Sequence, residues 1–288
     1  MKKKGGLFYG TNDQTKTTPT NMTLYLGDLL KNSRTEIFTD SSLYGIMLKV
    51  NIPVHIYNVP DDKFCIRSSD GQPVKSLLVK LVLLTNPTEY YYIGPHKQKS
   101  SDTEDNFRNE IETQTTLFNL TNNYRKPVCP GIIYSAILNH NSNYIFDCML
   151  QGNPSLDLSS ITSFSNPAKV GIIFMKMLDG YTTLSNYLEK YKHDNAMKEK
   201  GINMALYELF RLAAKGYSHG DLHRKNVMIN ETETGYFDRI DGRCMLIDFG
   251  RTKQVGSRKM MEGCTEMEAK KNQLGVIKPG QTRFVPEL

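Results

Sequence analysis

The chain has 288 residues, 39% of them hydrophobic, and a formal net charge of +6. That apolar share excludes a wholly disordered chain, and no apolar run nears the ~20 residues that a membrane span needs, so no membrane span is expected. The charge fits any polyanionic partner, but no basic stripe with interleaved aromatics marks a specific nucleic-acid surface.

Residues 1–22 are rich in Lys, Thr, Asn and Gly without a period, and read as a flexible N-terminal tail. Thr23–Leu30 is a short amphipathic stretch fit for a first helix. Two strand-like runs follow, Thr35–Thr39 and Gly45–Tyr57, joined through Asp40, Ser41, Ser42, Leu43 and Tyr44. Asp61–Gly71 is polar and reads as a loop or hairpin turn. Ser76–Leu84 is apolar on both faces, as in a buried strand, except for Lys80 at its centre. A lysine there costs free energy unless it snorkels out at a sheet edge or meets a carboxylate. The helical pattern of Phe107–Leu120 offers one: Glu110 lies at the edge of the Phe107, Ile111, Phe118 face, whereas Glu112 points away. Pro127 and Pro130 break that pattern, and strand-like runs follow at Gly131–Leu138, Tyr144–Leu150 and Val170–Met177. After Leu178-Asp179-Gly180, a helix starts near Thr182. A second one buries Ile202, Ala205, Leu206, Leu209, Leu212 and Ala213 on one face.

That helix runs into His219-Gly220-Asp221-Leu222-His223-Arg224-Lys225-Asn226, and Asp248-Phe249-Gly250 comes after Val227–Ile229 and Cys244–Ile247, which read as a hairpin. The hairpin brings Asn226 and Asp248 near each other. An acid and an amide five residues apart, then a second acid before a glycine, suit phosphoryl transfer from a Mg-nucleotide. One carboxylate orients an acceptor hydroxyl, while an amide oxygen and the second carboxylate hold metal.

The order of these residues, from Lys80 to Gly250, resembles the protein kinase-like superfamily. The resemblance implies an α+β, two-lobed protein kinase-like fold: an antiparallel β-sheet N-lobe at 23–174 and a mostly helical, shortened C-lobe at 175–288. It implies ATP and Mg2+ as cofactors. Lys80 would hold the α- and β-phosphates, with Glu110 as its ion-pair partner. Met175, Lys176 and Met177 fall at the hinge that bonds adenine, Asp221 matches the catalytic carboxylate, and Asn226 and Asp248 match the metal ligands. The acceptor would be a protein substrate, on Ser or Thr, or a small-molecule hydroxyl; a pseudokinase that keeps the fold without turnover is the further alternative.

Four departures accompany the resemblance. The glycine-rich loop is missing, which leaves Ser41 and Ser42 as the phosphate-facing candidates beside the repelling charge of Asp40. Gly220 stands where an arginine that reads a phosphorylated activation loop is usual; His-Gly-Asp-Leu-His is closer to the atypical, Rio-type, lipopolysaccharide-kinase and aminoglycoside-kinase branches. His223 replaces a lysine, with Lys225 either solvated or facing the γ-phosphate. Only 38 residues follow Gly250, with eight Lys/Arg against four Asp/Glu; Arg258–Lys271 can be helical. The five cysteines (Cys65, Cys129, Cys148, Cys244, Cys264) show no zinc or redox spacing, and the lysine-rich N-terminus lacks an apolar stretch, so a cytoplasmic protein is expected. The Asn, Lys and Tyr content, without Trp, resembles that of compact kinases of large DNA viruses, for which the location would be host cytoplasm or virion.

Overall fold

A computed structural model describes residues 19–39, 45–53, 74–93, 97–122, 126–139, 144–156, 169–234 and 241–255. The chain is α+β and divides into two compact units, Met1–Thr115 with Gly131–Met177, and Thr116–Pro130 with Leu178–Leu288. The resemblance implies a boundary between residues 174 and 175, whereas these units divide after Met177 and also set Thr116–Pro130 with the second unit.

The first unit opens with helix α1 (Pro19–Lys31), which starts inside the segment read as tail. Pro19 suits a first helical turn, where its missing N–H would have no intrahelical partner. Strands β1 (Arg34–Thr39), β2 (Ile46–Asn51), β3 (Ser76–Leu84), β6 (Ile132–Asn139) and β7 (Lys169–Lys176) form an antiparallel sheet in the order β1-β2-β3-β7-β6. A separate hairpin, β4 (Tyr90–Ile93) with β5 (Lys97–Ser100), precedes helix α2 (Glu104–Thr121).

Alternation in β3 sorts the core. Leu77, Val79, Leu81 and Leu83 face one side with Leu26 and Leu30 of α1, and with Ile145, Phe146 and Met149. Val82 and Leu84 face the other side with Phe107 of α2, Ile173 and Met175. Lys80 shares the parity of Val82, which directs it toward the α2 side of the sheet. Gly171 on β7 makes room for this packing, because a Cβ there would lie 2.5 Å from the Phe107 ring.

Tyr144–Leu150, expected as a strand, is instead helix α3 (Tyr144–Gly152). Its buried residues are Ile145, Phe146, Cys148 and Met149, spaced one, three and four apart. That spacing makes a helical stripe, which outweighs the β-favouring Tyr-Ile-Phe start.

The second unit holds β8 (Thr182–Thr183), α4 (Leu184–Lys190), α5 (Asn195–Ala214), β9 (Tyr217–Ser218), β10 (Val227–Thr234), β11 (Asp241–Leu246) and β12 (Lys253–Gln254). Thr183 caps α4 by accepting from the Asn186 N–H, and Asp194 caps α5 by accepting from Met197. The sheet order is β11-β10-β8, and β12 pairs with β9. Helix α5 buries Ile202, Ala205, Leu209 and Leu212, together with Glu208. Among the described residues, no helix is long and apolar enough to cross a membrane.

Candidate functional site

In the first unit, Lys80 and Glu110 meet. The Lys80 ammonium donates to both oxygens of Glu110, at 2.6 and 2.8 Å, and the two residues are 8% and 5% exposed. Helix α2 carries Glu110 into place by a defined start. Asp102 accepts from the Thr103 N–H, and the Thr103 hydroxyl accepts from the Asn106 N–H. Glu104 then takes Lys169 of β7 at 2.7 Å and Arg108 at 2.6 Å, and these bonds hold its carboxyl below the usual range. One turn after Glu110, Gln114 donates to Met175 Sδ at 3.3 Å.

The hinge candidates lie at the end of β7. Met175 and Met177 are buried and Lys176 is half-buried. The Met177 N–H already donates to the Ser76 carbonyl at 3.2 Å. Ser41 and Ser42, with Asp40, lie outside the described residues.

In the second unit, the turn 219–226 and the turn 247–252 follow the ends of paired strands. Val227 pairs with Leu246, and the Ile247 N–H donates to the Asn226 carbonyl at 3.0 Å. Asn226 is buried, and its side-chain amide donates to the Asp221 carbonyl at 3.0 Å. That bond fixes the amide's orientation; among the described residues its oxygen accepts no hydrogen bond. Asp221 is half-buried. Asp248 is exposed and sits at φ 67, the one positive-φ residue other than glycine among those described. Aspartate is one of the few side chains that enter the left-handed region at modest cost, and such positions gather at functional sites. Its neighbour Phe249 is fully buried against His219, with ring centroids 5.1 Å apart. The His219 ring bonds the Ile247 carbonyl at 3.0 Å, so the histidine joins both turns.

His223, Arg224 and Lys225 are exposed. The His223 Nδ1 accepts from the Lys225 N–H at 3.2 Å, so the proton of the neutral ring resides on Nε2.

Gly220 has a structural reason. It sits at φ 75, and a Cβ there would lie 2.0 Å from the Arg251 carbonyl oxygen. An arginine at this position would require the backbone of residues 251–255 to move. Arg251 in turn places Nη1 3.7 Å from Asp221 Oδ1, a contact that no sequence motif marks.

The sequence pattern also passes over Glu208, although it falls on the apolar stripe of α5 between Ala205 and Leu212. Glu208 takes Arg211 Nη1 at 2.8 Å, while Arg211 Nη2 donates to the carbonyls of Thr121 and Lys126 at 2.7 and 2.8 Å. Burial pushes the Glu208 carboxyl up to about 7, outweighing Arg211 and Arg243, which act the other way. Cys129, Cys148 and Cys244 are buried, and none of them is in a disulfide among the described residues. Among the described residues there is no group of three or more His, Cys, Asp or Glu suited to a metal ion.

Neither a protein-family model nor a curated protein matches the chain.

Proposed function

We propose that the chain is an ATP- and Mg-dependent phosphotransferase with a two-lobed, protein kinase-like fold, which transfers the γ-phosphate to a protein serine or threonine. The observation that carries the reading is the junction in the second unit. There Asn226, oriented through the Asp221 carbonyl, is bonded by its backbone to the residue before Asp248. A Mg2+ ion takes few protein ligands and completes its shell with phosphate oxygens and water, so one amide oxygen and one carboxylate fit it without a cluster of acids. Bound Mg-ATP would supply the phosphoryl group and the charge neutralisation on it.

Asn226 Oδ1 and the Asp248 carboxylate would hold the metal. Asp221 would orient the acceptor hydroxyl and take its proton late in the transfer. Lys80, fixed by Glu110, would neutralise phosphate charge, and the gain in rate would come from positioning and electrostatics. The buried Lys80–Glu110 pair supports this use, since an apolar pair would serve the core at least as well.

A second reading, a module that keeps the fold without turnover, draws on one observation: the Met177 N–H is taken by Ser76 and would have to be released to bond adenine. Mg-dependent transfer of labelled γ-phosphate separates the two, with the protein itself, a generic basic protein and a panel of small hydroxyl compounds as acceptors. The wild type is expected to transfer phosphate, and Asp248→Asn to lose transfer by orders of magnitude with its circular dichroism intact. Absence of transfer in the wild type, or full activity in Asp248→Asn, overturns the proposal.

A further inference from the structure

We infer that Arg251 reads an anion beside the acceptor hydroxyl, so that the preferred acceptor carries a carboxylate or phosphate next to the group that Asp221 engages. The inference rests on the phosphotransferase reading and adds the charge of the acceptor to it.

Arg251 is held by its backbone. Its carbonyl packs on Gly220, where no Cβ fits. The Thr252 hydroxyl donates to the His219 carbonyl at 3.1 Å, Lys253 pairs with Ser218, and the Val255 N–H donates to the Gly216 carbonyl at 2.7 Å. These contacts lay residues 251–255 along residues 216–220, so the Arg251 side chain starts next to Asp221 whatever its rotamer.

The side chain itself is 59% exposed and stands 3.7 Å from the Asp221 carboxylate. That distance is beyond hydrogen-bonding range, so the two groups attract through space. A pair of this kind between exposed groups is weak in water. A guanidinium presents a planar fork of donors that matches a carboxylate or phosphate. Asp221 alone would repel an anionic acceptor; Arg251 offsets that repulsion where the hydroxyl must sit. The local balance points the same way, as Arg224, Lys225 and Arg251 outnumber Asp221 and Asp248 on this stretch.

Two sources supply such an acceptor, an acidic peptide and a small hydroxy acid. The test uses the full chain and its Arg251→Gln and Arg251→Lys variants. One arm compares a serine peptide that has aspartate after the serine with the same peptide carrying asparagine there; the other compares glycerate with glycerol. Each pair is followed by Mg-ATP-dependent transfer and by calorimetric binding. The wild type is expected to favour the anionic member of one pair by about tenfold or more, chiefly through KM, as fits a charge-assisted contact. Arg251→Gln should bring that ratio near one, and Arg251→Lys should keep part of it. Because the ratio is internal to each protein, partial unfolding lowers both members alike. An unchanged ratio in Arg251→Gln overturns the inference. So does equal wild-type binding of the anionic and neutral members in both pairs, whatever the transfer assay shows. Transfer without charge preference therefore sinks this inference alone, whereas loss of all transfer sinks the reading beneath it.

Discussion

Replacing Glu208 with glutamine should remove a pH dependence built into the second unit. The carboxyl is 4% exposed, and burial raises it from 4.5 to about 7 despite Arg211 at 2.8 Å. In the unfolded chain it returns to its ordinary value. Between those two values the folded state binds more protons than the unfolded one, so stability falls as pH rises. The contribution is full below about pH 4.5 and is lost through about pH 7. At 1.36 kcal/mol per pH unit the loss amounts to roughly 3 kcal/mol. The neighbouring thiols do not blur the window, because burial holds Cys129 and Cys244 above their ordinary range. Glutamine reproduces the neutral form and cannot ionise. Urea unfolding at pH 5 and pH 8 measures the effect: the stability of Glu208→Gln relative to wild type should rise by roughly 3 kcal/mol between the two. A difference that stays flat across that range refutes the reasoning and would mean that the ion pair with Arg211 outweighs burial.

The Lys80–Glu110 pair should behave differently from its parts. Lys80→Met or Glu110→Leu alone strands a buried charge and costs roughly 3–5 kcal/mol, while the double substitution recovers most of that and transfers no phosphate. A double variant as unstable as the worse single one, or as active as wild type, contradicts the account; denaturant unfolding and the transfer assay decide. Gly220→Ala should cost at least roughly 1–3 kcal/mol through its positive φ, with the contact to Arg251 adding to it. An unchanged melting temperature would mean that residues 216–220 do not rest on residues 251–255.

The strand that carries Lys80 was legible because an apolar run on both faces interrupted by one lysine has few solutions. The partner on α2 was legible for a related reason: helical spacing puts Glu110 beside the Phe107 and Ile111 stripe. The helix at 144–152 was not, since six of its first seven residues are apolar or aromatic and short runs of that kind do not separate a strand from a helix. Arg251 was hidden for another reason. Its approach to Asp221 depends on pairing between β9 and β12, strands of two residues each, too short to leave a period. Glu208 shows a third kind of blindness: a charge on an apolar stripe was visible, but not the carbonyls of Thr121 and Lys126 that settle its partner Arg211.

Several of the places where this chain departs from the rules of stable packing are residues proposed for chemistry and their close neighbours. A buried ion pair stands where two apolar side chains would serve the core. An aspartate occupies a left-handed conformation that glycine would take more readily. A glycine lies under a carbonyl so close that no other residue fits. Each lowers stability or narrows the choice of sequence, and none is needed to close the sheet of the first unit or the hairpin of the second. The surroundings hold these departures in place: the Phe249 ring is fully buried, His219 bonds the Ile247 carbonyl, and Asn226 ties its amide to Asp221. Local rules broken at a few residues, and supported by fixed neighbours, are what a site under functional constraint leaves in a fold. A chain kept only as a scaffold could exchange Lys80, Glu110 and Asp248 for residues that pack or turn more easily, and their joint presence is the physical argument for turnover over a module that merely retains the shape.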